Sequence, residues 1–166
     1  GPTQLSIEHS KIKRIDVKTA AQMYEKTVEN FENSDIAILS AAVADYTPKS
    51  TFDNKLKKKE NNLVVELVPT KDILAELGRR KKEHQLLVGF ALETDNELEN
   101  AKDKLNRKNL DFIVLNSLND KGAGFNVSTN KVTILDAKGG VYESDLKSKY
   151  EVALDISEKI LGWWKD

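Results

Sequence analysis

Cysteine is missing from this chain altogether, and histidine occurs only as His9 and His84. Disulfides, thiolate nucleophiles and cysteine-ligated metals are thereby excluded, and two histidines are too few for a histidine-built zinc site. A reducing compartment is compatible with that composition. Long apolar runs are absent as well. The longest, Ile36 to Ala44, already contains Ser40 and falls far short of the ~20 residues a membrane helix needs. Residues 1–14 lack the apolar core of a secretory signal, so none is expected, and Gly1-Pro2 reads equally as a cleavage scar or as native sequence. Neither sign of charge is in excess: 26 basic against 27 acidic side chains argue against a general nucleic-acid binder. There is no Walker lysine loop and no G-x-G-x-x-G. Lys121-Gly122-Ala123-Gly124-Phe125 follows no strand-to-helix turn, so a dinucleotide fingerprint is unsupported. Ser40 sits in an apolar run with no identifiable histidine partner, which makes serine hydrolysis a poor reading.

What is present fits one folded domain. The 166 residues, 39% apolar and 32% charged, suffice to bury roughly 70% of the surface the unfolded chain exposes. Lys13 to Val17 reads as a short strand. Thr19-Ala20-Ala21-Gln22 has capping-box spacing and opens a helix with Met23, Val28 and Phe31 on its apolar face, ending near Asn33. Asp35 to Ala42 is apolar without alternation, as in a strand buried on both faces. A lysine-rich loop, Tyr46 to Asn62, leads to a strand at Leu63 to Val68. A helix starting at Pro69-Thr70 carries Asp72 in its first turn, where the helix dipole favours a carboxylate. Leu86 to Ala91 reads as another buried strand. Thr94 to Glu97 has capping-box spacing ahead of a helix with Leu98, Ala101 and Leu105 on one stripe. Asp111 to Leu115 is a further strand. Residues 131–136 and 141–144 flank Lys138-Gly139-Gly140 as a hairpin, and a last helix spans about 146–161. The order implies an α/β fold: a Rossmann-like, mostly parallel sheet with helices on both faces and an attached antiparallel hairpin.

In such sheets ligands bind beyond the carboxyl ends of the strands. Ala41-Ala42-Val43-Ala44-Asp45-Tyr46 follows one such end; its small residues admit a ligand near the backbone, and Asp45 offers a carboxylate to a hydroxyl, an amine or a metal. The same pattern also describes tight packing with Asp45 in a turn. Lys55-Leu56-Lys57-Lys58-Lys59 reads either as a solvated loop or as a flap whose lysines swing over a bound anion. An ammonium 4 Å from a phosphate charge gains ~4 kcal/mol at an effective dielectric of about 20. Lys71, Asp72, Ile73 and Leu74 stand at a helix start, an anion site by backbone N–H groups, although every helix has one. Phe90 suits a flat ring or the core. Lys104 and Lys108 share a helix face and read as a ligand pair or as solvated charges.

Taken in order, AAVADY at 41–46, KLKK at 55–58, TKDIL at 70–74, VGFALET at 88–94, the Lys104 and Lys108 pair, DFIVLN at 111–116 and GAGF at 122–125 resemble one family. It is phosphopantothenate–cysteine ligase, the second activity of the bacterial coenzyme A biosynthesis flavoprotein. The resemblance spans residues 13–135 and implies a cytoplasmic ligase, with no nucleic-acid or membrane partner. It implies that CTP and Mg²⁺ activate the carboxylate of 4′-phosphopantothenate as an acyl-cytidylate, which the amine of cysteine then attacks. A carboxylate is a poor electrophile until one oxygen becomes a good leaving group, and the protein's share is positioning and charge stabilisation. Carried over by position, Lys55 is the catalytic flap lysine. Asp45 is the nucleotide- and metal-associated carboxylate, and Lys71, Asp72, Ile73, Leu74, Phe90, Lys104 and Lys108 line the nucleotide site. Ala44-Asp45-Tyr46 favours CTP over the ATP of eukaryotic relatives. The resemblance suggests a homodimer touching at the hairpin or flap. FMN enters only through a fused decarboxylase domain. The family's opening strand, glycine-rich loop and helix have no counterpart here, so residues 1–166 are expected to form one N-terminally truncated ligase domain. The alternative is a nucleotide-binding module without turnover.

Overall fold

In a computed structural model, which describes residues 6–7, 9–52, 54–55, 57, 62–117 and 127–165, the chain forms two compact units. One comprises Gly1–Glu32 and Ala41–Ile73, the other Asn33–Ser40 and Leu74–Asp166.

The first unit carries α1 (Ala20–Phe31) and the strands β2 (Tyr46–Pro48) and β3 (Leu67–Pro69). The capping box at the start of α1 forms as its spacing requires: the Thr19 hydroxyl accepts from the Gln22 N–H, and the Gln22 side chain accepts from the Thr19 N–H. Phe31, the last helical residue, is the buried anchor of that helix. Residues 13–17, expected as a strand, adopt no regular structure. A strand needs a ladder partner, and their alternating apolar and charged side chains find none among the described residues. β2 and β3 pair antiparallel, Tyr46 opposite Pro69 and Pro48 opposite Leu67, and Lys49 extends the hairpin with an ion pair to Glu66 at 2.7 Å. The strand expected over 63–68 is thus confined to its last residues and Pro69, while Leu63, Val64 and Val65 are exposed.

The second unit is built on a five-stranded sheet in the order β1 (Ile36–Leu39), β4 (Leu86–Glu93), β5 (Phe112–Ser117), β7 (Val132–Asp136), β8 (Val141–Glu143). β1, β4 and β5 are parallel; β7 and β8 add as an antiparallel hairpin. The Rossmann-like α/β architecture with its attached hairpin is therefore present. β4 and β5 are buried along most of their length, as non-alternating apolar runs should be. β1 has the same kind of sequence but lies at the sheet edge with Ile38 exposed, so the expectation of burial on both faces fails for it. Apolarity states which side chains gain from burial; it does not supply the strand that would cover them.

Alternation along β4 and β5 divides the core. Leu86, Val88, Phe112, Val114, Val132 and Ile134 pack against Val152, Ile156 and Ile160 of α4 (Lys149–Lys165). On the other face stand α2 (Ile73–Arg80) and α3 (Glu97–Arg107), with Leu74, Leu77, Ala101 and Leu105 buried. Trp163 seals the α4 side edge-on to Phe112, ring centroids 5.0 Å apart. The turn between β7 and β8 is local chemistry: the Asp136 carboxylate accepts from the N–H groups of Lys138 and Gly140, and Gly139 takes the positive φ of 93°. α4 starts three residues later than expected. Lys147 and Ser148 (β9) pair with Thr129 and Asn130 (β6), and Ser148 then caps the helix reciprocally with Glu151.

Candidate functional site

Asp45, Lys55, Lys71, Asp72 and Ile73 belong to the first unit; Leu74, Phe90, Lys104 and Lys108 belong to the second. Each set is ordered by its own local contacts.

In the first unit Thr70 ties the segment ahead of α2 to the segment ahead of β2. Its N–H donates to the Asp45 carbonyl at 2.8 Å and its hydroxyl to the Ala44 carbonyl at 2.6 Å. The Asp45 backbone is therefore fixed while its exposed carboxylate makes no hydrogen bond or ion pair among the described residues. The same ladder explains why α2 begins at Ile73 rather than at Pro69-Thr70: both residues are held in the β2–β3 hairpin, and the Thr70 N–H is spent on Asp45. Lys71 stands over the ring of Tyr24, ammonium to centroid 4.7 Å. Lys55 is exposed in the excursion between β2 and β3, with Lys57 likewise exposed. Lys58 and the GAGF turn lie outside the described residues.

Ile73 and Leu74 are buried, so their side chains serve the core and only their backbone is left to address a ligand. Phe90 is half-buried and packs against the α4-side cluster, the core reading of that ring. Its carbonyl accepts from the Lys104 ammonium at 3.1 Å, which brings a basic side chain of α3 to the carboxyl half of β4. Lys108 closes α3 as its C-cap residue, its N–H on the Lys104 carbonyl. α3 itself begins later than the Thr94 spacing indicates. Asn96, in the left-handed region at φ 46°, is the N-cap, and it makes no side-chain cap bond. The chain turns into the helix through that αL residue, which moves the cap two positions along.

One cavity went unread in the sequence. About 350 Å³ in volume, it lies at the carboxyl end of β5 and is lined by Glu97, Leu98, Leu115, Ser117, Lys131, Thr133 and Glu143. Leu115, Thr133 and Glu143 form one register row across β5, β7 and β8, and Ser117 donates to Glu97 at 2.7 Å. Leu115 stood at an expected strand end, and Glu97 and Leu98 at the expected start and stripe of α3; the pairing of β5, β7 and β8 brings the others beside them. Among the described residues no group of three acidic or histidine side chains is arranged to hold a metal by itself.

Comparison with known proteins gives this arrangement its context. A bacterial coenzyme A biosynthesis bifunctional protein CoaBC, from Bacillus subtilis, is 45% identical over 160 residues, 96% of this chain and 39% of that protein. A cysteine/cysteine sulfinic acid decarboxylase from an unidentified prokaryote is 56% identical over 161 residues, 97% of this chain and 45% of that one. The chain thus spans less than half the length of these curated relatives. Among solved structures, the C-terminal domain of a CoaBC protein superposes with a TM-score of 0.79 at 36% identity, covering 99% of this chain and 72% of that one. The family model for the DNA/pantothenate metabolism flavoprotein C-terminal domain matches residues 1–163, and the chain belongs to that family.

Proposed function

We propose that the chain is the phosphopantothenate–cysteine ligase portion of a coenzyme A biosynthesis protein. It would join 4′-phosphopantothenate to cysteine through an acyl-cytidylate formed with CTP. The observation that carries this reading is the identity to the bifunctional coenzyme A biosynthesis protein across nearly the whole chain. The site chemistry is in keeping with it. Nucleotide activation followed by amine attack needs no enzyme thiol or imidazole, and the chain has no cysteine to offer. The exposed carboxylate of Asp45, with no three-carboxylate cluster among the described residues, suits Mg²⁺ held chiefly by phosphate oxygens and water. When bound, that ion would neutralise phosphate charge. Lys55 would meet the charge of the activated intermediate from the excursion. Lys71 and the backbone at Asp72, Ile73, Leu74 and Phe90 would orient the nucleotide, together with Lys104 and Lys108.

A homodimer is part of the proposal. Phe52, Leu63, Val64, Val65 and Leu67 leave an exposed apolar surface on the β2–β3 excursion, of the kind that marks an interaction site. The cytoplasm is the compartment such a biosynthetic role requires, and among the described residues no helix is long and apolar enough to cross a membrane. FMN would belong to a decarboxylase domain elsewhere in a longer protein. The deciding experiment is calorimetric titration with CTP and then ATP, each with Mg²⁺, followed by a ligation assay with 4′-phosphopantothenate and cysteine. CTP-selective binding with product formation is the expected result. CTP binding without product would leave a nucleotide-binding module, and binding of neither nucleotide would refute the assignment for this chain.

A further inference from the structure

Gly78 lies within α2, a helix of eight residues, where glycine is about 1 kcal/mol worse than alanine. The reason is a backbone contact. A Cβ built on Gly78 would overlap the carbonyl oxygen of Lys108 and lie 2.9 Å from its carbon. The next residue, Asn109, adopts φ 52° and donates its side-chain amide to the Gly78 carbonyl at 2.8 Å. The end of α3 is thus seated directly on α2, with no side chain between the two backbones. Gly89 on β4 differs: a Cβ there would press on the side-chain methyls of Leu74 at 2.7 Å and Leu110 at 2.9 Å, which can shift. From this seat one turn of α3 leads from Lys108 back to Lys104, whose ammonium reaches the Phe90 carbonyl.

We propose that Gly78 and Asn109 are positioning residues: a backbone latch that seats Lys108 at the end of α3, sets where Lys104 stands over the carboxyl half of β4, and so tunes nucleotide affinity. The second half of that statement rests on the nucleotide site proposed above; the first does not. The latch touches no substrate and works through the offset between α2 and α3. A Cβ at residue 78 forces α3 away because its obstacle is a peptide carbonyl, which cannot rotate aside as a side chain does.

The test uses Gly78→Ala and Asn109→Gly, the latter retaining the left-handed conformation while removing the amide bond. Two quantities are read: acylation of Lys104 by a soluble amine-reactive reagent, quantified by mass spectrometry, and the affinity for CTP with Mg²⁺. Gly78→Ala should raise Lys104 labelling severalfold and weaken CTP binding about tenfold, and that loss should vanish when Lys104 and Lys108 are already alanine. Asn109→Gly should move both readings the same way by less. Gly162→Ala, where an added Cβ meets nothing within 4 Å, serves as the unaffected control. Unchanged Lys104 labelling in a folded Gly78→Ala protein overturns the latch. So does a loss of affinity that persists undiminished in the lysine-free background, which would mark a general loosening. If the unmodified chain binds no CTP yet Gly78→Ala raises labelling, the nucleotide reading fails and the latch stands.

Discussion

Asp111 directly precedes β5 and is a heavily committed carboxylate. Its two oxygens receive the Lys81 ammonium at 2.8 and 2.9 Å, and one also receives the Leu87 N–H at 2.7 Å. Both side chains are largely out of water, 12% exposed for Lys81 and 15% for Asp111. Asp111→Ala would strand two donors at once. An unsatisfied buried N–H costs about 1–3 kcal/mol, and a buried ammonium robbed of its partner costs up to about 3–5 kcal/mol where water is fully excluded. Residual exposure discounts the second figure, because water reaches Lys81, so the expected loss is about 3 kcal/mol in all. For a chain of this size that is a drop of roughly 6–12 °C in Tm. Urea unfolding followed by tryptophan fluorescence is the natural assay, since Trp163 sits edge-on to Phe112, the neighbour of Asp111. Asp111→Asn keeps an acceptor for Leu87 and should lose less. Lys81→Met combined with Asp111→Ala should recover part of the deficit, because no unpaired charge remains. A loss under about 0.5 kcal/mol for Asp111→Ala would show that the surroundings re-solvate both donors and that the pair is worth no more than a surface ion pair.

Lys55→Ala should lower ligation while leaving the melting temperature unchanged, because the side chain is exposed and outside both cores; turnover equal to the unmodified chain would remove Lys55 from the mechanism. Asp45→Asn should weaken CTP binding in Mg²⁺ and leave the Thr70 bonds intact, since those use backbone carbonyls; an unaltered affinity in Mg²⁺ would count against the metal role. Acid should erode stability. Hydrogen bonds from Lys147 hold Asp155 below the usual carboxylate range, those from Ser148 do the same for Glu151, and those from Arg79 and Arg80 for Glu76. Stability from these groups is present above the unfolded carboxylate values and lost as pH falls through the lower folded ones, so Tm should decline below about pH 4. Lys147, raised by the same Asp155 bond, mirrors this only above the ordinary lysine range. A Tm that is flat from pH 7 to pH 3, or an Asp155→Asn protein with an undiminished acid decline, would contradict this account.

Local chemistry and the β7–β8 hairpin were legible from the sequence; which strands lacked neighbours was not. The Thr19–Gln22 capping box and the Asp136–Gly140 turn depend on residues a few positions apart, and both form as their spacing dictates. Asn96 shows the limit of that reading: a left-handed backbone, not the Thr94 spacing, brings the chain into α3. Residues 13–17 and 63–66 have strand-like composition yet no ladder, and β1 has the composition of a central strand yet lies at an edge. Composition cannot count neighbours. Within the candidate site the same division holds. Spacing picked out Ile73, Leu74 and Phe90, but only packing shows that their side chains face the core. Gly78 carried a faint signal, a glycine inside a short helical stretch, whose cause is a carbonyl thirty residues away in sequence.

The change from parallel to antiparallel pairing at β5 also sets an order of assembly. β7 and β8 meet across a short turn, a closure of microseconds, and can template α4 from nearby sequence. β1 reaches β4 only after the chain has travelled from Leu39 to Leu86, so its ladder forms against a much larger loop entropy. Extra residues in the β2–β3 excursion would slow that last ladder only slightly, since closure entropy grows with the logarithm of length. The sheet should therefore ripen from its antiparallel side inward, and a full-length chain refolding from denaturant would hold a finished hairpin and helix while β1 still searched for its register.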